Sequence, residues 1–304
     1  MLATASQLMI LFIFILGGFL IGKLKKISME KSNLLSVLLV NIFLPCKIFL
    51  NFSKQCTLSY FVNNYTTLLI SLGLLLFLVL FSFLISKVLT KDPYERNVYR
   101  YSFAISNYAY LGYVFVEATL GEQALTDMIL FCIPFAFYTY TFGYALLNNR
   151  SNSFKKAINP MTIAIALGMF FGILSIPMPA FLNQAFTLAS GCVGPLSMIL
   201  TGIVLASLPL KSLLPNSKAA IFSVLRLAVI PTTLLLICLG MRWLGILPDA
   251  VYPAAVIMGC MPCGLNTIVF PSLVGADCSM GARFVLLTHI LCLITIPIWM
   301  WILI

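Results

Sequence analysis

The sequence predicts an all-α polytopic membrane protein with ten transmembrane helices. Hydrophobic residues make up 62% of the 304 residues, and charged residues make up only 9%. Because soluble domains carry about 25% charged residues, this composition cannot cover a water-facing surface. The charges also fall in short gaps between apolar runs of about 18 to 25 residues, the length of a helix that crosses a bilayer. The lipid bilayer is therefore the first predicted partner.

Ten apolar runs are the predicted spans, and the short connections between them leave no room for a soluble domain. The spans comprise residues 4–22, 31–52, 64–86, 97–119, 124–147, 157–176, 180–207, 218–240, 250–273 and 280–302. The first lysines follow the first run instead of preceding it, which favours a retained membrane helix over a signal peptide. The nine cysteines are scattered through apolar runs and do not form the spaced framework of a disulfide-rich domain.

The basic residues predict the orientation of the spans. Of the 18 lysines and arginines, 14 lie in or beside the odd-numbered gaps. They are Lys23, Lys25, Lys26, Lys31, Lys87, Lys91, Arg96, Arg100, Arg150, Lys155, Lys156, Lys211, Lys218 and Arg283. Cytoplasmic gaps carry such an excess, so both termini are expected outside a cell membrane. The net charge of +10 is then a topology signal, and no nucleic-acid partner is expected.

Ten spans divide into two halves of five, residues 1–150 and residues 151–304, which begin on opposite sides of the membrane. This arrangement permits an inverted repeat. Helix-breaking residues interrupt matched spans: Pro45 in the second, residues 191–195 (GCVGP) in the seventh, residues 106–108 (SNY) in the fourth and residues 262–266 (PCGLN) in the ninth. The matched positions, more than sequence identity between the halves, favour the repeat.

The breaks in spans 4 and 9 fall near the middle of the bilayer. Proline removes a backbone donor, and unpaired backbone is tolerated at that depth only where protein or water covers it. An asparagine beside each break, Asn107 and Asn266, offers donors and an acceptor without a net charge. Two such helices that cross would form a small polar cavity for a ligand, whereas a single break is equally explained by a kink in a packed helix.

Four segments carry a resemblance to a known family: residues 41–49 (NIFLPCKIF), 106–125 (SNYAYLGYVFVEATLGEQAL), 191–206 (GCVGPLSMILTGIVLA) and 261–287 (MPCGLNTIVFPSLVGADCSMGARFVLL). In this order they resemble the auxin efflux carrier family of membrane transporters, including its bacterial members. The resemblance implies ten helices in two inverted repeats of five, with helices 4 and 9 broken and crossing, and a homodimer. It also implies transport of small organic anions such as auxin, malate or malonate.

The resemblance places the two crossover segments on this chain residue by residue. The helix-4 crossover falls on Ser106 and Asn107, and the helix-9 crossover on Pro262 through Asn266. Bacterial members often have a proline just after the glycine of the fourth helix, whereas here Tyr113 follows Gly112. We therefore expect a milder break in the fourth helix, or one formed differently.

The predicted substrate site joins the two breaks to the second span. Its candidate residues are Asn107, Asn266, Ser106, Tyr110, Pro262, Gly264, Thr267, Pro45 and Lys47. Lys47 is the most unusual of them, because an ionisable group within a span costs at least about 2.5 kcal/mol and marks functional sites. It either faces the crossing and pairs with a substrate carboxylate, or extends along the helix to the outer interface.

Four further polar residues have simpler expected roles. Arg226 is expected to extend to the cytoplasmic interface. His289, the only histidine, is expected to be a hydrogen-bonded core residue, with a proton relay as the alternative. Glu117 and Asp277 are placed at helix ends and expected to be solvated.

These features predict a secondary transporter that moves a small organic anion by alternating access and is not an enzyme. A proton or sodium ion is a possible coupling partner, and no cofactor is expected. A nucleophile–base pair and paired acids are lacking in the spans, and the chain has no phosphate-binding loop. Cys260 and Cys263 with nearby methionines would suit Cu(I), but span 4 offers no second pair of soft ligands. An anion channel or an intramembrane enzyme remains the alternative.

Overall fold

The computed structural model describes residues 2–24, 29–148, 160–207, 216–248, 251–272 and 276–303. These residues are almost entirely helical, and one isolated antiparallel bridge joins Ser106 to Cys263. The predicted division at residue 150 lies outside the described residues. The same is true of six basic residues used to predict orientation: Lys25, Lys26, Arg150, Lys155, Lys156 and Lys211.

The helices follow the apolar runs of the sequence. In the first half of the chain they are α1 (Leu2–Lys23), α2 (Met29–Leu38), α3 (Leu44–Gln55), α4 (Leu58–Asn64), α5 (Thr66–Leu89), α6 (Pro93–Ala104), α7 (Tyr113–Tyr138) and α8 (Tyr144–Asn148). In the second half they are α9 (Pro160–Ile173), α10 (Ala180–Ser207), α11 (Ser217–Val224), α12 (Ile230–Trp243), α13 (Val251–Cys260), α14 (Asn266–Ser272) and α15 (Ser279–Leu303). Single π-helical turns join α2 to α3, α7 to α8 and α11 to α12, and another precedes α7.

Within the described ranges, six helical segments are long and apolar enough to cross a membrane. They are Leu34–Gln55, Thr66–Leu89, Tyr108–Asn148, Ala180–Ser207, Ser217–Trp243 and Ser279–Leu303. Shorter apolar helices occupy Met9–Lys23, Pro160–Ile173 and Val251–Cys260. The chain is therefore a multi-pass membrane protein. That ten helices cross the membrane in two inverted repeats stays a prediction.

The predicted gap between spans 4 and 5 is a kink within α7. Gly121 has φ 88° and ψ −179°, so the helix is interrupted at this residue. Only glycine adopts such a positive φ without strain, because a Cβ would clash with the backbone. One glycine thus interrupts the helix between the two predicted spans without a longer loop.

The predicted interruptions of spans 2 and 7 are wrong. Helix α10 runs without a break through Pro195. In span 2 a π-helical turn, Leu39–Phe43, leads directly into α3, where Pro45 occupies the first turn. A proline inside a membrane helix can bend it without ending it, and a local π-helical turn accommodates the missing donor.

Glycines allow two pairs of helices to pack with their backbones in contact. A Cβ on Gly202 of α10 would lie 2.0 Å from the carbonyl oxygen of Ile15 in α1. A Cβ on Gly172 of α9 would lie 2.4 Å from the carbonyl oxygen of Phe52 in α3. Small residues permit this close approach, which provides much of the packing between helices in a membrane.

We expect Gly202→Ala to destabilise the protein by about 1–3 kcal/mol, because the added methyl group must push α1 away from α10. Gly191→Ala is the matched control in the same helix, since a Cβ there would meet nothing within 4 Å. Thermal unfolding of the two variants in detergent measures the difference. Equal melting temperatures would show that the α1–α10 contact has room for a methyl group.

Candidate functional site

Two helices end side by side in the interior, and the segments after them pair with each other. Helix α6 ends at Ala104 and α13 ends at Cys260. The backbone N–H of Asn107 donates to the backbone carbonyl of Pro262 at 2.8 Å, next to the bridge between Ser106 and Cys263. We call residues 105–107 and 261–266 the crossing. Here backbone groups that left their helices become hydrogen-bonded to each other, as a buried backbone requires.

The two sides of the crossing leave the helical conformation for different reasons. Met261 precedes Pro262, and a residue before proline is disfavoured in a helix. A Cβ on Gly264 would lie 3.2 Å from the carbonyl oxygen of Ser106, so a small residue suits this approach. On the other side no proline is present. Ile105 has an extended backbone, and the helix resumes as a π-helical turn, Tyr108–Gly112. The fourth-helix interruption is thus formed without proline.

Arg226 lies at the crossing, and the prediction that it extends to the cytoplasmic interface is wrong. Its side chain is 0% exposed. The guanidinium donates from Nη1 to the carbonyl of Phe103 at 3.1 Å, from Nη2 to that of Met258 at 3.3 Å, and from Nε to that of Met261 at 3.3 Å. The last carbonyls of a helix lack partners within it and carry partial negative charge. One arginine therefore binds both helix ends, which explains its burial.

Asn107 is held by His289 of α15. The imidazole Nδ1 lies 2.7 Å from the carbonyl oxygen of Val285, which can only accept, so Nδ1 carries the hydrogen. The Nε2 atom then accepts from Nδ2 of Asn107 at 3.0 Å. The histidine is buried and hydrogen-bonded through both nitrogens, as expected of a core residue; the relay alternative stays open.

The crossing surrounds a very small cavity that contains five of the predicted site residues. Its volume is about 20 Å³, room for roughly one water molecule. It is lined by Ile105, Ser106, Asn107, Tyr108, Ala109, Tyr110, Thr139, Tyr140, Gly264, Leu265 and Asn266. Among the described residues, the hydroxyl of Ser106 and Oδ1 of Asn107 are buried there without a hydrogen-bond partner. These two polar atoms remain available for a ligand.

The other predicted site residues lie beside this cavity or away from it. Pro262 accepts the hydrogen bond from Asn107, and the hydroxyl of Thr267 donates to the carbonyl of Gly264 at 2.7 Å. Neither residue lines the crossing cavity, but both bond to the backbone of the crossing. Pro45 instead lines an apolar groove between α3, α9 and α10, and Lys47 lines a separate polar cavity.

That polar cavity, which we call the vestibule, has a volume of about 330 Å³ and lies between α3, α7 and α10. It is lined by Lys47, Leu50, Asn51, Lys54, Val114, Glu117, Glu122, Thr187, Ser190, Gly191, Gly194 and Pro195. Lys54 and Glu122 are exposed and mark its mouth. Its volume falls at the lower end of the range for small-molecule sites.

Lys47 and Glu117 form an ion pair in the vestibule. Lys47 is only 3% exposed, so it does not extend to the interface. Glu117 was expected to be solvated; it is partly exposed, at 37% of its side chain, but its carboxylate is bound to Lys47. A buried ammonium requires a compensating partner, and Glu117 is the acid within reach. This pairing, across 70 positions of the chain, is the site feature that sequence reasoning missed.

The vestibule ends close to the crossing. Val114 lines its floor and lies one helical turn after Tyr110, about 6 Å along the axis. The carbonyl of Tyr110 accepts from the hydroxyl of Ser197, at 3.3 Å, and Ser197 follows Gly194 of the vestibule by three residues. The two cavities are therefore lined by neighbouring residues of the segment Tyr108–Asn148.

Comparison with known proteins covers both regions. The family described as "Membrane transport protein" matches residues 3–157 and 152–300, which include the crossing and the vestibule. An uncharacterized transporter of Methanocaldococcus jannaschii is 24% identical over 309 residues, covering 97% of this chain and 97% of the relative. The chain therefore belongs to the membrane transport protein family, that of the auxin efflux carriers, and is a membrane transporter.

Proposed function

We propose that the protein is a secondary transporter that moves a small organic anion, such as an auxin-like, malate-like or malonate-like carboxylate, across the cell membrane by alternating access. The observation that carries this proposal is the buried charge of Arg226, whose three hydrogen bonds go to carbonyls and not to an acid. Among the described residues that line the crossing cavity, none carries a carboxylate. A positive charge in such a low-dielectric interior attracts an anion and repels a cation.

Two donors of the crossing, the Ser106 hydroxyl and the Asn107 side-chain nitrogen, suit a carboxylate, whereas Oδ1 of Asn107 is an acceptor. The hydroxyl of Ser106 has no partner among the described residues, and Asn107 gives only one amide hydrogen to His289. Each can donate to a carboxylate oxygen, which accepts several hydrogen bonds. Asn266 lines the same cavity, and the rings of Tyr110 and Tyr140 offer an apolar surface for the body of the substrate.

The difference in size between the two cavities supports alternating access. The vestibule, at about 330 Å³, has room for a small carboxylate, whereas the crossing cavity of about 20 Å³ does not. Binding at the crossing thus requires helices to move apart. At the other end Lys218 donates to both oxygens of Glu95, at 2.7 and 2.6 Å, and the Tyr94 hydroxyl donates to the carbonyl of Asp277 at 2.7 Å. These bonds link α6 to α11 and to the segment before α15 at the end that the basic residues predict to be cytoplasmic.

The packing of the helices supports two inverted repeats. Helix α1 packs on α10 and α9 packs on α3, in both cases through glycine. These pairs are spans 1 and 7 and spans 6 and 2, which an inverted repeat of five spans exchanges with each other. In this arrangement α1, α3, α9 and α10 form one rigid unit, and the helices that contain the crossing would move relative to it. Assembly as a homodimer and coupling to a proton or sodium ion belong to the same proposal.

Transport by Asn107→Ala and Asn266→Ala tests the site. In proteoliposomes we expect the natural protein to take up at least one of labelled malate, malonate and indole-3-acetate. Each variant should lose about 1–3 kcal/mol of binding, or roughly tenfold to a hundredfold in affinity, because the substrate loses a buried donor. Asn41→Ala is the matched control, since within the described ranges the exposed Asn41 side chain donates only to the carbonyl of Val37, four residues earlier.

Three outcomes would contradict the proposal. Unchanged uptake in both crossing variants would move the substrate site elsewhere. Electrical conductance that needs no helix movement and does not saturate would favour the channel. Conversion of a carboxylate into a new compound would favour an enzyme.

A further inference from the structure

The vestibule contains a balanced set of charges arranged across two helices. Lys47, Asn51 and Lys54 recur at helical spacing on one face of α3, and all three line the vestibule. Glu117 and Glu122 face them from α7. Two ammonium groups and two carboxylates sum to zero, so the vestibule without a ligand is neutral.

Apart from Lys47 and Glu117, the charged and amide side chains that line the vestibule either have another hydrogen-bond partner or are exposed to water. Glu122 accepts from Nε2 of Gln55 at 3.1 Å through its side chain and from Nδ2 of Asn51 at 3.3 Å through its carbonyl. Lys54 is exposed at the mouth. The deepest charge, Lys47, therefore relies on Glu117, which is also the vestibule acid nearest to the crossing.

We propose that the vestibule is an entry site for a carboxylate, at which the incoming anion takes the place of Glu117 on Lys47 and Glu117 takes up one proton. This inference rests on the proposed function, since it names how the anion reaches the crossing and which ion accompanies it. A buried ammonium must keep an anionic partner. Glu117 fulfils this role in the empty vestibule, and the adjoining space of about 330 Å³ admits a competing carboxylate.

The proton follows from the charge count. A monocarboxylate that enters a neutral vestibule leaves a net charge of −1 on groups that are partly removed from water. Protonation of the displaced Glu117 restores neutrality: the substrate carboxylate forms the ion pair with Lys47, and the glutamate becomes a neutral carboxylic acid. The complex then holds one proton more than the empty vestibule, so carboxylate affinity must rise as pH falls.

The other groups near Glu117 are weaker candidates for the proton. From α3 the charged groups are Lys47 and Lys54, and from α7 Glu122. The residues of α10 that line the vestibule, Thr187 and Ser190 among them, are neutral. Asp127 does not line it and accepts from the hydroxyl of Tyr60 at 2.6 Å and from Gln123 at 3.2 Å. Glu117 is the acid that both contacts Lys47 and loses this contact when an anion binds.

Glu117→Gln gives the decisive test, because glutamine keeps the shape but neither competes as an anion nor takes up the proton. Binding of acetate, malonate and malate to purified protein is measured by calorimetry at pH 5.5 and 7.5, in buffers of different ionisation enthalpy. In the natural protein we expect the affinity for acetate, the monocarboxylate of the three, to fall up to about tenfold per unit rise in pH, with one proton taken up. In Glu117→Gln we expect affinity at pH 7.5 to rise at least about tenfold and the pH dependence to disappear.

Two control variants distinguish anion exchange at Lys47 from a purely structural role of Glu117. Asp127→Asn removes an acid of α7 that does not line the vestibule and that accepts from Tyr60 and Gln123; it should keep the pH dependence of the natural protein. If Glu117→Gln does not fold, Lys47→Gln combined with Glu117→Gln removes both charges together. This double variant should bind carboxylates weakly and without pH dependence, and natural affinity in it would overturn the proposal.

The remaining outcomes are distinguishable. Carboxylate binding by the natural protein that Glu117→Gln leaves unchanged or weakens would overturn the exchange and make the ion pair a structural brace. Tighter binding in Glu117→Gln without proton uptake in the natural protein would mean that Glu117 moves to Lys54, which overturns the proton step. If none of the three carboxylates binds to or is transported by the natural protein, the proposed function itself falls, and this inference with it.

Discussion

Replacing Arg226 with methionine is expected to abolish anion transport while the protein remains helical and inserted. The three carbonyls that the guanidinium binds would lose their donors, at about 1–3 kcal/mol for each buried acceptor left unpaired. Removal of a buried charge offsets part of this cost. A substrate anion would also lose the attraction of the cation in a low-dielectric interior. We expect uptake to fall at least about a hundredfold.

Two further variants show which property of Arg226 matters. Arg226→Lys keeps the charge, but a lysine cannot bind three carbonyls in the fork geometry of a guanidinium, so partial transport and a lower melting temperature are expected. Arg242→Met removes an exposed arginine whose guanidinium lies 5.9 Å from the ring of Tyr252, and it should transport normally. Initial uptake rates and thermal melts monitored by circular dichroism measure both effects. Normal uptake by Arg226→Met would refute the role of the buried charge in anion binding.

The helices could be predicted from the sequence because their signals are local. Apolar runs of membrane length and the charges between them place each helix, and predicted span 180–207 coincides with α10. The interruptions at the crossing could also be predicted, since polar residues and proline together within an apolar run disfavour a continuous membrane helix. Pro45 and Pro195 misled the same reasoning, because a proline alone does not reveal whether the helix around it bends or ends.

The contacts between distant parts of the chain could not be predicted. Whether Lys47 extends to the interface or faces inward depends on which face of α3 meets α7. Helical periodicity reveals the polar face of Lys47, Asn51 and Lys54, but it does not reveal whether this face meets water or another helix. Glu117 was interpreted as solvated for the same reason. A signal did exist for Arg226: two interrupted helices leave carbonyls that need donors, and an arginine deep in a span can supply them.

His289 provides the second large expected effect, through its hydrogen bond to Asn107. In His289→Phe the Nδ2 atom of Asn107 loses its acceptor, so the amide no longer has a fixed orientation towards the crossing cavity. An unpaired buried group costs about 1–3 kcal/mol, and we expect substrate affinity to fall roughly tenfold to a hundredfold. In His289→Gln the side-chain oxygen can accept from Asn107 in place of Nε2, so affinity should stay close to that of the natural protein. Proteoliposome uptake at several substrate concentrations separates the two variants.

The pH profile of His289→Gln decides between the two places where a proton can enter the transport cycle. Protonation of Nε2 would force Asn107 to turn its amide so that Oδ1, now without a partner among the described residues, accepts from the ring. A proton relay through His289 would therefore change the orientation of the Asn107 side-chain amide. His289→Gln would remove this relay. We expect His289→Gln to keep the pH dependence that Glu117→Gln loses, because the proton follows the anion into the vestibule. The reverse result would assign proton uptake to His289 and overturn the exchange at Lys47.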